Sequence, residues 1–225
     1  MMFAIAGAAG LVLAGALASR IADRKRAALA VLAVGAVVIF VDGSPWHGTD
    51  FGGPPVLTVA FLMLAILVSG RRITVLDGAV IVTTAAVITA LFAVVDYLRP
   101  IEDRTHLGDF VESAMDGTAT TVIVRKAGQV LALWPLILIL ALALAVIFLA
   151  LRSRNVSVRN PLGPDQNIWV WVSAAQFIIL VGGMLLNDSG PIIIVAGGMV
   201  AIPLIASAAY YQESQADTAA PVLSR

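Results

Sequence analysis

Apolar residues run along this chain in long, almost unbroken stretches separated by short polar segments. Seven can be marked, at roughly 1–18, 27–41, 55–69, 73–95, 131–151, 168–186 and 191–210. A helix needs ~20 apolar residues to cross ~30 Å of hydrocarbon. The fourth and fifth stretches reach that length. The second and third are short and are expected to recruit flanking residues, such as Ala22 and Pro54. The pattern predicts an all-α, polytopic transmembrane helix bundle of about seven spans over residues 1–211, followed by a disordered cytoplasmic tail at 212–225. The alternative, short helices buried in a soluble core, lacks the polar faces needed to cover them.

Composition strengthens this reading. Of 225 residues, 60% are hydrophobic and 12% charged, and the mean hydropathy is +0.98; a water-facing surface cannot be built from so few charges. There is no cysteine, which excludes disulfides, thiol nucleophiles and cysteine metal sites. The formal net charge is zero, so nothing points to a nucleic-acid partner.

Charge distribution says more. Arg20, Arg24, Lys25, Arg26, Arg71, Arg72, Arg152, Arg154, Arg159 and Arg225 follow alternate stretches, against Arg99, Arg104, Arg125 and Lys126 on the other side. The positive-inside rule then places the N-terminus outside and the C-terminus in the cytoplasm. Asp42, Asp50, Asp96, Glu102, Asp103, Asp109, Glu112, Asp116 and Asp188 all fall on the outer side, so the functional face is expected to be extracytoplasmic. The first stretch ends in Ala16-Leu17-Ala18, like a signal-peptidase site, but no basic residue precedes it. Ala6, Gly10, Ala14 and Ala18 recur every four residues, a stripe suited to close helix packing, and a retained helix is expected.

The longest polar segment, about 96–130, is read as an outer lid between spans four and five. Leu107, Phe110, Val111, Ala114 and Met115 fall at helical spacing with Asp109, Glu112 and Asp116 between them, an amphipathic helix ended by Asp116-Gly117. A second helix, capped by Thr118 or Thr120, is expected through Val122–Leu133.

Candidate chemistry gathers on the same side. Arg99, Arg104 and His106 are candidate ligands for a phosphate, since guanidinium offers paired donors to oxyanions; alternatively the arginines pair with Asp96, Glu102 or Asp103 and brace the loop. Arg125 and Lys126 are candidates for a lipid phosphate or for snorkelling to head groups. Asp50, Asp96, Asn187 and Asp188 are candidate polar groups on the outer face, although Asn187-Asp188-Ser189-Gly190 also reads as a plain turn. His47 and His106 each have an aspartate three residues on, Asp50 and Asp109, but the spacing demands no metal. Asp77 is expected to form an interfacial salt bridge, and Gln176 an interhelical hydrogen bond. No P-loop, glycine-rich nucleotide fingerprint, zinc motif or serine elbow occurs, so no cofactor is expected.

Several fragments together, Asp50-Phe51-Gly52-Gly53, Arg99-Pro100 with Arg104-Thr105-His106-Leu107-Gly108 and Phe110, Arg125-Lys126, and Asn187-Asp188-Ser189-Gly190, resemble the C-terminal membrane part of a poorly characterised family. Its members are actinobacterial and related Gram-positive multi-spanning proteins. They are typically predicted to carry an alkaline-phosphatase-like domain on the outer side, ahead of many membrane helices. The resemblance covers about residues 30 to 205. Members often have a basic residue where this chain has Asp109. The metal-binding acids and nucleophile of the phosphatase-like domain have no counterpart here, which implies a split gene's membrane half, a truncated copy, or a chain that acts alone.

The resulting expectation is a cell-envelope membrane module, not an enzyme by itself, that anchors a phosphatase-like extracytoplasmic partner or binds a lipid phosphate at the outer leaflet. The alternatives are an enzyme or flippase acting on a polyprenyl-phosphate or phospholipid intermediate, with His106 and Asp188 as acid/base groups, and a small-solute transporter.

Overall fold

A computed structural model of the chain describes residues 2–47, 51–132, 135, 168–187, 190 and 192–219. Most of the fifth apolar stretch, together with Asp50, Asp188 and the Lys126 side chain, lies outside the described residues. Among the described residues the regular structure is entirely helical: α1 (Met2–Ala18), α2 (Arg24–Gly43), α3 (Gly53–Val68), α4 (Val75–Tyr97), a 3₁₀ turn (Ile101–Asp103), α5 (His106–Met115), α6 (Ala119–Ala132), α7 (Ile168–Leu186) and α8 (Ile192–Ala219). Three of these, α2, α4 and α7, are long and apolar enough to cross a membrane; α1, α3 and Ile192–Ile205 are apolar but shorter.

Local chemistry sets the helix ends. The Asp23 carboxylate accepts the Arg26 amide at 2.9 Å and starts α2, so this helix lengthens through Arg24–Arg26 and not from Ala22. α3 does take in Pro54, which follows Gly53 in the first turn, where a missing amide hydrogen costs nothing. α4 opens on a reciprocal capping box between Thr74 and Asp77. Asp77 also pairs with Arg71 at 3.0 Å, a salt bridge as expected for it. α8 continues past the boundary expected at 211 and ends at Ala219, because Gln212, Glu213, Gln215 and Ala216 are sound helix formers.

α1 sits at the centre, against α2, α3, α7 and α8. Phe3, Ala4, Ala8, Leu11 and Ala14 are fully buried on it. Its small residues are holes for knobs from three neighbours: a methyl at Gly7 would lie 2.6 Å from Leu57, at Gly10 2.7 Å from Val38, and at Gly15 2.6 Å from Val172. Without a hydrophobic driving force between helices in lipid, such close backbone approach supplies the dispersion contacts that hold a bundle. α4 lies at the edge and exposes Val80, Val82, Val87, Leu91 and Val94, an apolar surface that suits hydrocarbon and not water.

From α1 to α4 the polypeptide reverses at each connection, giving the bundle two distinct ends. Phe3 meets Gly183 and Phe92 meets Gly43, which brings the start of α1 to the end of α7 and the end of α2 to the end of α4. The α4–α5 junction belongs to this end. The opposite end carries the α1–α2 and α3–α4 connections with Arg20, Arg24, Lys25, Arg26, Arg71 and Arg72. There Gly70 takes a φ of +81°, a conformation open to glycine, and any side chain on it would run into the Arg24 guanidinium.

Gln176 departs from expectation. It is buried at the middle of α7, yet among the described residues neither side-chain amide atom has a hydrogen-bond partner, and neither does the indole nitrogen of Trp169, two turns earlier. The interhelical hydrogen bond expected for it is therefore not made among the described residues.

Candidate functional site

At the lid end, the polar fragments of the sequence converge on one carboxylate. Asp96, in the last turn of α4, has a side chain with no solvent exposure. Its Oδ2 accepts the Thr105 amide at 2.9 Å, the Thr105 hydroxyl at 2.7 Å and the Gly108 amide at 2.8 Å. Its Oδ1 accepts Arg99 Nη1 at 3.1 Å. Four charge-assisted bonds satisfy an anion that would otherwise be costly to bury.

The local sequence explains the arrangement. Pro100 and the 3₁₀ turn reverse the chain after α4, and Thr105 N-caps α5 through its hydroxyl. The first amides of α5 thereby point back toward α4. Gly108 allows the approach, since a methyl there would sit 3.1 Å from Asp96 Oδ2 and 3.3 Å from Arg104 Cδ. Arg-Thr-His-Leu-Gly, read in the sequence as a possible seat for phosphate, thus forms a seat already filled by Asp96.

Both arginines are held within the fold. Arg99 also donates to the Pro45 carbonyl at 3.1 Å and stacks over Trp46, tying the α2–α3 connection to the end of α4. Arg104 donates from Nε to the Arg99 carbonyl at 3.2 Å, lies over the Tyr97 ring at 4.4 Å and meets Glu112 at 3.5 Å. Bracing, the second reading given for these two residues, is the geometry observed, with Asp96 as one partner and Glu112 in place of Glu102 or Asp103 as the other.

The remaining candidates divide. His106 is exposed at the first turn of α5, between Thr105 and Gly108, and Arg125 is exposed on α6; the bonds to Asp96 come from Thr105, Gly108 and Arg99. Asn187 closes α7 beside the glycine pair of the α2–α3 connection: a methyl on Gly52 would lie 2.9 Å from the Asn187 amide nitrogen, and one on Gly53 would collide with the Asp42 carboxylate. Phe51 meets Phe110 of α5 edge to face, with centroids 5.2 Å apart. His47 sits edge-on to Phe40, and no group of three metal-ligating side chains occurs among the described residues.

One feature was not singled out in the sequence. Between α4 and α5 runs an apolar cleft of about 570 Å³, with Ala86, Ala90 and Ala93 on one wall and Phe110, Val111 and Ala114 on the other. Its signal was present as the apolar stripe of α5 and the small residues of α4, but only the packing angle of the two helices leaves the space. No family model, curated protein or solved structure matches this chain.

Proposed function

We propose that this chain is a multi-pass membrane protein of the cell envelope, with about seven spans and its N-terminus outside, and that its lid end binds a lipid phosphate at the outer leaflet without catalysing a reaction on it. One observation carries the reading: Pro45-Trp46, Phe51-Gly52-Gly53, Asp96 to Phe110 and Asn187 meet at a single end of an apolar bundle, opposite the end that holds Arg20 to Arg26 and Arg71-Arg72. Basic residues favour the cytoplasmic side, so the braced end faces outward. With Arg99 and Arg104 engaged in a rigid, carboxylate-centred brace, the exposed side chains of His106 and Arg125 are the donors among the described residues that would meet a lipid phosphate at head-group level. A phosphatase-like partner in the envelope would dock on that brace, the role the family resemblance implies.

The native chain contains no cysteine, so single cysteines report topology cleanly. In intact cells, an impermeant maleimide is expected to label Glu102→Cys and to miss Arg72→Cys. Gentle detergent purification is expected to retain anionic phospholipid. Labelling of Arg72→Cys alone would reverse the orientation, and purification free of anionic lipid would remove the lipid-phosphate role.

A further inference from the structure

We infer that the α4–α5 cleft is a site for one fatty acyl chain of a membrane phospholipid, an inference that rests on the membrane reading above and specifies which part of the lipid is held. The cleft wall on α4 is made by Ala86, Ala90 and Ala93, spaced so that they share one face of the helix. At other helix contacts of the bundle small residues receive a side chain from the facing helix, Leu57 at Gly7, Val38 at Gly10 and Val172 at Gly15, whereas beside these alanines the space stays open.

The hollow is propped open. α5 is fixed at its first turn by the Gly108 and Thr105 bonds to Asp96, and at Phe110 by the edge contact with Phe51. These two fixed points keep α5 from settling onto the alanines. Thr89 is the polar side chain in the lining, and its hydroxyl donates to the Ala85 carbonyl at 2.8 Å, so the wall asks for no hydrogen-bonding ligand.

The cleft is also continuous with the outer surface of α4. Ala86, Ala90 and Val94 belong to its lining and are themselves exposed, beside Val87 and Leu91. A chain from the surrounding bilayer reaches it sideways without desolvating a head group. With no polar group to select another occupant, mass action favours the most abundant hydrocarbon present, the phospholipid acyl chain. Dispersion contacts that an empty hollow forfeits are recovered when it fills.

The full-length protein is placed in phosphatidylglycerol–phosphatidylethanolamine vesicles holding a trace of phosphatidylglycerol with a mid-chain diazirine, irradiated, and mapped by mass spectrometry. Adducts are expected to concentrate on the segments 86–94 and 110–115. Ala90→Phe and Ala114→Phe, both at exposed positions that tolerate bulk, should each lower that yield about tenfold. Ala33→Phe, in a groove of about 510 Å³ between α1 and α2, should leave it unchanged. Yields unchanged from the parent in both cleft variants, or adducts spread evenly around α4, overturn the inference; so does loss of the acyl adducts when a polyprenyl phosphate is added. A diacylglycerol carrying the same diazirine chain separates the two readings. Equal labelling by it supports the chain site and removes the phosphate role, whereas retained anionic lipid without cleft adducts removes the chain site alone.

Discussion

The Gly108 amide donates to Asp96 Oδ2 at 2.8 Å, joining the first turn of α5 to the last turn of α4. The separation leaves little room on Gly108, where a methyl would come within 3.1 Å of the same oxygen. Two residues with no side-chain donor between them therefore set the angle of the lid.

Replacing Gly108 with valine is expected to push α5 off the end of α4 and to lower stability by about 1–3 kcal/mol, the usual cost of overpacking. Hydrogen exchange should quicken at residues 105–110 while α1 stays protected. Unchanged protection in α5 would mean that the carboxylate does not govern the lid.

Asp96→Ala removes the acceptor of four bonds and leaves Arg99 without its carboxylate. A loss of roughly 3–5 kcal/mol is expected, as for breaking a buried ion pair. Asp77→Ala, which removes half of a capping box at the partly exposed start of α4, should cost clearly less. Thermal unfolding of the two variants in one detergent compares them directly, and equal losses would contradict the central place given to Asp96.

Gly15→Leu tests α1 as the core of the bundle. Its side chain would strike Val172 and Trp169 of α7, so the variant should elute as aggregate or unfold at a lower temperature. Leu17→Ala, on the exposed side of α1, should behave as the parent does.

Gln176→Met is expected to raise stability. The amide is buried with both polar atoms unbonded, an arrangement that costs on the order of 1–3 kcal/mol, and methionine fills similar volume without that penalty. A lower unfolding temperature would show that the amide has a partner in the working protein.

Much of the lid was legible in the chain. Leu107, Phe110, Val111, Ala114 and Met115 declared α5 by their spacing, and the helix does stop at Met115, with Gly117 at a φ of +75°. Helical periodicity is a short-range property, so a short window contains it. The partners of the charged residues were less accessible. Arg99 reaches Pro45 across 54 positions, and Arg104 chose Glu112 over the nearer Glu102 and Asp103 because α5 folds back along α4. Gln176 misled in another way: its residue type promised a hydrogen bond, and none is made among the described residues.

What the residues alone determined is the apolar, helical character of the chain, the positions of most helix ends, and the segregation of basic from acidic connections. These follow from side-chain hydrophobicity and from capping bonds between residues a few positions apart, which no distant contact needs to supply. Tertiary structure decided which anion the Arg99–Gly108 segment binds, that α1 is the centre of the bundle, and that a hollow separates α4 from α5. Each of these depends on how helices distant in the chain approach one another, and close packing admits only the arrangement in which glycines, alanines and the larger side chains opposite them fit together.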